Sequence, residues 1–119
     1  MSDIVEKVKG LVVDSLDEMK AVDMVVLDVR GKSSVTDYMV IVSATSNRHV
    51  KAMASSVVAD AKKADLPPLG VEGEQQGDWV LVDMGDVLVH IMMPETRAFY
   101  QLEKFWGDLA SDRGEAGLG

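Results

Sequence analysis

The chain has 119 residues, 47% of them hydrophobic, and it contains no cysteine. That length predicts one domain with a single core, and the absence of thiols excludes a disulfide framework, a cysteine nucleophile and a cysteine-ligated metal. The net charge of -8 disfavours direct binding of RNA or DNA, because phosphate contacts require clustered Lys and Arg. A basic protein partner is compatible with this charge, even when that partner belongs to a nucleoprotein particle.

The N-terminal segment MSDIVEKVKG is charged and has no apolar signal region. No stretch of the chain reaches the roughly 18 consecutive apolar residues that a membrane span requires. We therefore predict a cytoplasmic protein that is neither secreted nor embedded in a membrane.

The first half of the chain predicts a helix followed by two strands. Apolar residues recur at helical spacing over 4–19. The runs 24–29 (MVVLDV) and 38–44 (YMVIVSA) predict strands. The turn signal over 30–34 (RGKSS) separates them, and so short a connection predicts an antiparallel pair.

A second helix and a short strand are predicted next. Residues 45–47 (TSN) are consecutive N-cap candidates, and apolar residues over 50–61 follow at amphipathic spacing. The segment 66–68 (LPP) ends this helix, and 69–72 predicts a strand. The helix is long enough for a right-handed crossover, so this strand is expected to run parallel to strand 38–44.

The last part of the chain predicts a β-hairpin over 79–93 and a final helix. Pro94 stands where a first helical residue would. An apolar stripe of this helix is predicted to pack on the sheet: Phe99, Leu102, Phe105 and Trp106. The polar, Gly-rich residues 108–119 predict a disordered tail that follows a single domain over 1–107.

These elements have the order α-β-β-α-β-β-β-α. The predicted fold class is α/β, with a mixed, roughly five-stranded sheet and flanking helices. No internal repeat and no linker divides the chain.

The hairpin sequence WVLVDMGDVLVHIMM has two faces of different character. A two-residue turn at Met84-Gly85 would place Asp83 opposite Asp86, Val82 opposite Val87 and Val80 opposite Val89. One face is then purely β-branched and is predicted to face the core: Val80, Val82, Val87, Val89 and Ile91. The other face carries Trp79, Leu81, Asp83, Asp86, Leu88, His90 and Met92. A core face has no need of Trp, His and an acid pair together, whereas a sheet face that contacts another protein often has them.

Trp79 has two interpretations. It could complete the core at the sheet edge, or it could anchor a partner protein together with its apolar neighbours Leu81, Leu88 and Met92. Both depend on the turn length, because a one-residue slip would move one strand's side chains to the opposite face.

The turn Gly31–Ser34, followed by Asp37, partly matches a nucleotidyltransferase site. Such sites place a Gly-Ser turn near the phosphates and two carboxylates, one residue apart, on the next strand to hold two metals. Here the position two after Asp37 is Met39, which cannot bind Mg²⁺. We therefore favour a hairpin loop in which Ser34, Thr36 and Asp37 bond the backbone, and keep an active nucleotidyltransferase or nucleotide-binding enzyme as the alternative function.

The two histidines, His49 and His90, do not indicate a metal or catalytic site. Neither has a partner at metal-ligand spacing such as H-x-x-x-H, and no G-x-S-x-G elbow occurs. We expect His49 in the first turn of its helix, bonding nearby groups or a neighbouring strand, and His90 as a half-exposed sheet residue. No catalytic residue, metal or cofactor is predicted.

Four motifs carry a family resemblance. They are VRG-x-S-x-x-TDY, TS-x-RHV-x-A, EG-x-x-x-G-x-WVL-x-D-x-GDV-x-VH and R-x-x-Y-x-LE-x-x-W, within 27–54, 70–92 and 97–106. Together, in this order and at these separations, they resemble the ribosomal silencing factor family, also called Iojap. The resemblance runs from about residue 4 to residue 107, nearly the whole predicted domain.

That resemblance implies a nucleotidyltransferase-like fold that has lost its chemistry. It implies a translational repressor that binds the large ribosomal subunit through the ribosomal protein uL14, sterically blocks joining of the small subunit and acts when nutrients run short. Family members also form homodimers in some cases, and an exposed apolar sheet face would allow one here. No sequence-specific nucleic-acid binding is expected.

By position, the family's binding surface falls on the hairpin: Trp79, Leu81, Asp83, Gly85, Asp86, Val89 and His90. The hairpin-face argument adds Leu88 and disagrees on Val89, which a two-residue turn points inward. The chain departs from the family pattern at Met39, where an aromatic residue is common, at Ala44, where Gly is frequent, and at Phe99-Tyr100, where a Tyr pair is usual. These departures concern packing more than function.

Overall fold

The computed structural model describes residues 2–34, 36–101 and 104. Within these residues, three helices and five strands follow the predicted order. Their bounds are α1 Ser2–Glu18, β1 Val22–Asp28, β2 Tyr38–Ser43, α2 Asn47–Lys63, β3 Gly70–Glu72, β4 Trp79–Asp83, β5 Val87–Met92 and α3 Pro94–Tyr100. No helix in this part of the chain is both long enough and apolar enough to cross a membrane.

The strands form one mixed sheet in the order β1-β2-β5-β4-β3. β1 is antiparallel to β2, as predicted, and β2 is parallel to β5 with Ile41 opposite His90. β4 is antiparallel to both β5 and β3. These directions make β3 parallel to β2, so α2 is part of a parallel crossover, as predicted, although β5 and β4 lie between the two strands.

One face of the sheet packs on α1 and α2, and we call it the core face. Their apolar stripes meet the β-branched residues of the central strands in a single cluster. The five hairpin residues predicted to face the core are all fully buried: Val80, Val82, Val87, Val89 and Ile91. This part of the sequence prediction is confirmed.

The N-terminal turn of α2 is fixed to the end of α1. Ser46 is the N-cap, and its Oγ accepts from the backbone N–H of His49 at 3.0 Å. The His49 ring accepts from Thr45 N–H through Nδ1 at 3.0 Å, which leaves Nε2 to donate to the Met19 carbonyl at 2.7 Å. The expected structural role of His49 is confirmed: its ring joins α2 to the residue after α1.

The hairpin turn lies one residue later than predicted. Met84 N–H donates to the Val87 carbonyl at 3.0 Å, so Gly85-Asp86 is the two-residue loop, and Met84-Gly85 was wrong. Gly85 has φ of +87°, which glycine adopts without steric cost and which suits the first position of such a loop.

This change moves the register by two residues, so that Asp83 pairs with Leu88, Val82 with Val89 and Val80 with Ile91. The predicted partners were wrong. The predicted faces were right, because side chains alternate with a period of two along a strand.

The opposite face of the sheet, which we call the second face, has its own buried cluster. Met39, Ile41 and Met92 are buried there, with Leu27, Trp79 and Leu88 packed around them. The helix α3 lies at the end of this face, where buried Arg97 donates to Ser43 Oγ at 2.9 Å. The second face is therefore covered in part.

Contrary to the prediction, Phe99 does not pack on the sheet. Phe99 is 78% exposed, and its ring forms an edge-type contact with the ring of the neighbouring Tyr100. The other members of the predicted stripe, Leu102, Phe105 and Trp106, lie outside the described residues. So do the predicted domain end at 107 and the predicted tail over 108–119.

Candidate surface for a protein partner

The hairpin presents a half-buried apolar patch on the second face. Trp79, Leu81 and Leu88 project there because they alternate with the buried valines of β4 and β5. Each of the three is partly exposed, so each retains apolar surface that a partner could cover. We call Trp79, Leu81 and Leu88 the apolar patch.

A small pocket opens beside this patch. It has a volume of about 220 Å³ and is lined by Glu72, Gly73, Trp79, Leu81 and His90. Gly73 has φ of +87°, and a Cβ there would come within 2.2 Å of the Trp79 carbonyl oxygen. Only glycine allows this turn to approach β4 so closely, and the approach forms one wall of the pocket.

Trp79 is held in place by His90. Its indole Nε1–H donates to His90 Nδ1 at 3.0 Å, and the two ring centroids lie 5.9 Å apart. Because Nδ1 accepts, the neutral imidazole carries its proton on Nε2. That Nε2 is buried without a hydrogen-bond partner among the residues that the structure describes.

Burial lowers the pKa of His90 to about 4, because the charged imidazolium would lose its hydration. His90 is thus neutral at physiological pH, and its Nδ1 remains available to accept from Trp79. Only 7% of His90 is exposed, so the expectation of a half-exposed histidine was wrong. Its two neighbours in the sheet, Ile41 and Leu81, supply the apolar surroundings.

Trp79 also belongs to a row of aromatic rings. Its ring centroid lies 4.8 Å from that of Tyr100, and the Tyr100 centroid lies 4.9 Å from that of Phe99. Both distances and the tilted or edge-on orientations fall within the favourable range for aromatic pairs. Together with the Trp79–His90 contact, the row links the central strand β5 to α3.

Acidic groups lie at the tip of the hairpin. Asp83 Oδ1 accepts from Gly85 N–H at 2.8 Å, so this carboxylate fixes the turn. Asp86 is exposed, while its backbone carbonyl accepts from the N–H groups of Asp37 and Tyr38 at 2.9 and 3.0 Å. The tip is therefore anchored to the start of β2, with its negative charge facing solvent.

Most of the predicted contact residues come together on one surface. Trp79, Leu81, Asp83 and Leu88 are partly exposed on the second face, Gly85 and Asp86 form its tip, and His90 lies beneath Trp79. Val89 is the exception, because its side chain is fully buried in the core cluster. Its inclusion among the contact residues is corrected: a partner on the second face cannot reach this side chain.

Sequence reasoning missed two contributors to this surface. Tyr100 was read as part of the family pattern alone, although its ring meets Trp79 and is 53% exposed. Gly73 entered the sequence analysis only as the second residue of the motif that begins EG-x-x-x-G. A signal for Tyr100 was present, since Pro94 starts a helix two residues after β5 and so brings 99–100 back over the hairpin.

The turn that partly matches a nucleotidyltransferase site has a structural role in the folded chain. Arg30 forms a two-pronged ion pair with Asp28, with Nε to Oδ1 at 2.9 Å. Thr36 Oγ1 donates to the Tyr38 carbonyl, and its N–H donates to Ser33 Oγ. Among the described residues, no group of three or more His, Asp and Glu side chains is placed to hold a metal ion.

A search of protein-family models matches residues 3–116 to the family described as ribosomal silencing factor during starvation. The chain is 48% identical over 93 residues to the ribosomal silencing factor of Haemophilus influenzae, which covers 78% of this chain and 91% of that protein. It is 40% identical to the mouse mitochondrial assembly of ribosomal large subunit protein 1, covering 81% of this chain and 43% of that protein.

Solved structures of similar sequence have the same fold. A crystal structure of a Chromobacterium violaceum protein superposes with a TM-score of 0.84 at 39% identity, covering 86% of this chain and 85% of that one. A Bacillus halodurans crystal structure gives a TM-score of 0.78 at 35% identity, covering 85% of this chain and 94% of that one. The motifs, the sheet and these matches lead to one conclusion: the chain belongs to the ribosomal silencing factor family.

Proposed function

We propose that this protein represses translation by docking its second face on the large ribosomal subunit through the ribosomal protein uL14, where it sterically blocks joining of the small subunit. The observation that carries the proposal is the apolar patch of the hairpin, which remains partly exposed next to an acidic tip. Such a surface combines an aromatic anchor with a charged rim, as protein interfaces commonly do. The family resemblance implies the partner, and the protein would act among the ribosomes of the cytoplasm.

The charge of the chain supports a protein contact over an RNA contact. The net charge of -8 repels phosphates, yet attracts a basic ribosomal protein. Asp83 and Asp86 concentrate negative charge at the tip of the patch, so they would orient the domain towards the protein and away from neighbouring RNA. Steric exclusion needs no catalysis, and relatives are named as silencing factors, not as enzymes.

The test is a binding and joining experiment. The protein is mixed with isolated large subunits and sedimented, and small subunits are then added while light scattering reports joining. We expect the protein to co-sediment with large subunits and to slow or prevent joining in proportion to its occupancy. Failure to co-sediment would overturn the proposal, and binding that leaves joining unchanged would overturn the steric mechanism.

Asp83→Asn tests the electrostatic part. The amide oxygen can still accept from Gly85 N–H, so the turn is kept while the charge is removed. We expect binding to large subunits to weaken several-fold, by about 1 kcal/mol, and its dependence on salt to decrease. The matched control is Asp14→Asn on α1, an exposed acid that lies away from the second face. Equal behaviour of the two variants would contradict a role for Asp83 in docking.

A further inference from the structure

An aromatic pocket with two acidic residues lies next to the apolar patch. Its volume is about 420 Å³, and its lining includes Asp78, Trp79, Glu95, Phe99 and Tyr100. We propose that this pocket receives an arginine side chain of the protein on which the second face docks. The proposal rests on the function proposed above and extends it, because it names the chemistry of the partner group and residues outside the hairpin that would recognise it.

The aromatic walls suit a flat cation. Trp79 and Tyr100 are 4.8 Å apart between ring centroids and tilted by 49°, and Phe99 meets Tyr100 edge-on. Phe99 and Tyr100 are 78% and 53% exposed, so both residues retain surface that a ligand could contact. A guanidinium group within about 6 Å of such faces gains cation–π attraction, which strengthens as the partner excludes water.

The carboxylates supply the opposite charge. Asp78 and Glu95 are exposed, and within the described residues neither forms an ion pair. The backbone holds their segments together, because Met93 N–H donates to the Asp78 carbonyl at 2.9 Å and Pro94 begins α3 immediately afterwards. A cation in the pocket would therefore meet two carboxylates whose backbone segments are held together by this hydrogen bond.

Arginine fits this pocket better than lysine does. Its planar guanidinium can stack on an aromatic ring while its N–H groups, which point outward in the guanidinium plane, donate to carboxylates at its edges. The lysine ammonium is compact and strongly hydrated, so it would use the carboxylates but gain less from the rings. A contact between two copies of this chain is the less favoured occupant, since the chain carries 20 acidic residues against 12 basic ones.

The first test measures affinity for isolated large subunits. Asp78→Asn with Glu95→Gln removes both charges and keeps the side-chain shapes, while Asp14→Asn with Glu18→Gln makes the same charge change on exposed positions of α1. We expect the pocket variant to bind at least tenfold more weakly, equivalent to about 1.4 kcal/mol, and the control to stay within about twofold of wild type. Equal affinities for the pocket variant and wild type, or an equal loss in the control, would overturn the proposal.

The second test uses the free protein and therefore does not depend on ribosome binding. If the protein does not bind large subunits at all, the proposed function fails, but this test still decides whether the pocket binds arginine. N-acetyl-arginine amide is titrated while NMR follows the indole N–H signal of Trp79, assigned by comparison with Trp79→Phe. We expect this signal to shift with the arginine probe and much less with the uncharged N-acetyl-citrulline amide. We also expect the shift to be lost in the pocket variant. No shift, or equal shifts with both probes, would overturn the pocket assignment.

Discussion

The two faces of the β4–β5 hairpin are made by the same stretch of the chain in alternation, yet they differ in burial and in polarity. On the core face, the branched side chains of Val80, Val82 and Ile91 are fully buried beneath α1 and α2. On the second face, Trp79 and Leu88 remain partly exposed, and the polar residues Asp83 and His90 lie on the same face. The comparison separates residues that stabilise the fold from residues that are free to serve binding.

The largest effect is expected from truncation on the core face. Ile91→Ala should lower the free energy of unfolding by about 2–5 kcal/mol, because it leaves a cavity in a closely packed cluster. Leu88→Ala, three residues earlier on the same strand but on the second face, should cost clearly less, since its side chain is already partly exposed. Denaturant titrations of both variants make the measurement. Equal losses would show that Leu88 on the second face contributes as much to stability as Ile91 on the core face.

The next prediction concerns the buried imidazole beneath Trp79. The folded-state pKa of His90, about 4, lies below its unfolded value of 6.5, so the unfolded state binds more protons between these pH values. Stability from neutral His90 is therefore complete above about pH 6.5 and is lost as the pH falls towards 4, by about 3 kcal/mol in total.

His90→Gln should remove this contribution. The difference in unfolding free energy between wild type and variant, followed from pH 7 to pH 4, isolates it from the titration of carboxylates that both proteins share. A difference that stays constant over this range would contradict the buried, neutral state of His90.

Trp79→Ala should weaken binding to large subunits by about 2 kcal/mol, roughly thirtyfold, because a central aromatic anchor commonly contributes that much. The fold should survive, since the core face is untouched. Trp79→Phe keeps a ring but loses the N–H that reaches His90, and we expect intermediate binding. Co-sedimentation with large subunits measures the affinity of each variant, and circular dichroism shows whether each variant is folded. A folded Trp79→Ala variant with wild-type affinity would remove Trp79 from the interface.

The smallest effect is expected at the turn that partly matches a nucleotidyltransferase site. Asp37→Asn should leave large-subunit binding and the block on subunit joining nearly intact, with at most about 1 kcal/mol of lost stability. The backbone of residue 37, which donates to the Asp86 carbonyl, is unchanged by this substitution. A variant that folds and binds large subunits but no longer blocks joining would point to chemistry at this turn.

The sequence was sufficient for the faces of the hairpin but not for its register. Alternation between β-branched residues and others identified the core face, because burial selects side chains with a period of two. The same pattern fits any loop placement that changes the register by two residues. The choice of Gly85-Asp86 depends on the positive φ of Gly85 and on the bond from its N–H to Asp83 Oδ1, which are details of backbone geometry.

The part of the candidate surface that lies within the hairpin was predicted from the sequence, whereas the part that depends on contacts between the hairpin and α3 was not. Trp79, Leu81 and Leu88 share a hairpin, so strand periodicity places them together. The contact between Trp79 and Tyr100 joins β4 to α3, and the exposure of Phe99 depends on how α3 lies against the sheet. Helical spacing indicates an apolar stripe, but it does not say whether the stripe meets the sheet or solvent.

The most direct test of the central claim is a footprint of the protein bound to large subunits. Hydroxyl radicals oxidise exposed aromatic and aliphatic side chains, and mass spectrometry locates the products before and after complex formation. We expect protection on the second face at Trp79, Leu81, Leu88 and Tyr100, while Ile4 and Val13 of α1 react as in the free protein. Protection concentrated on α1 and α2, with the second face still reactive in the complex, would contradict the account.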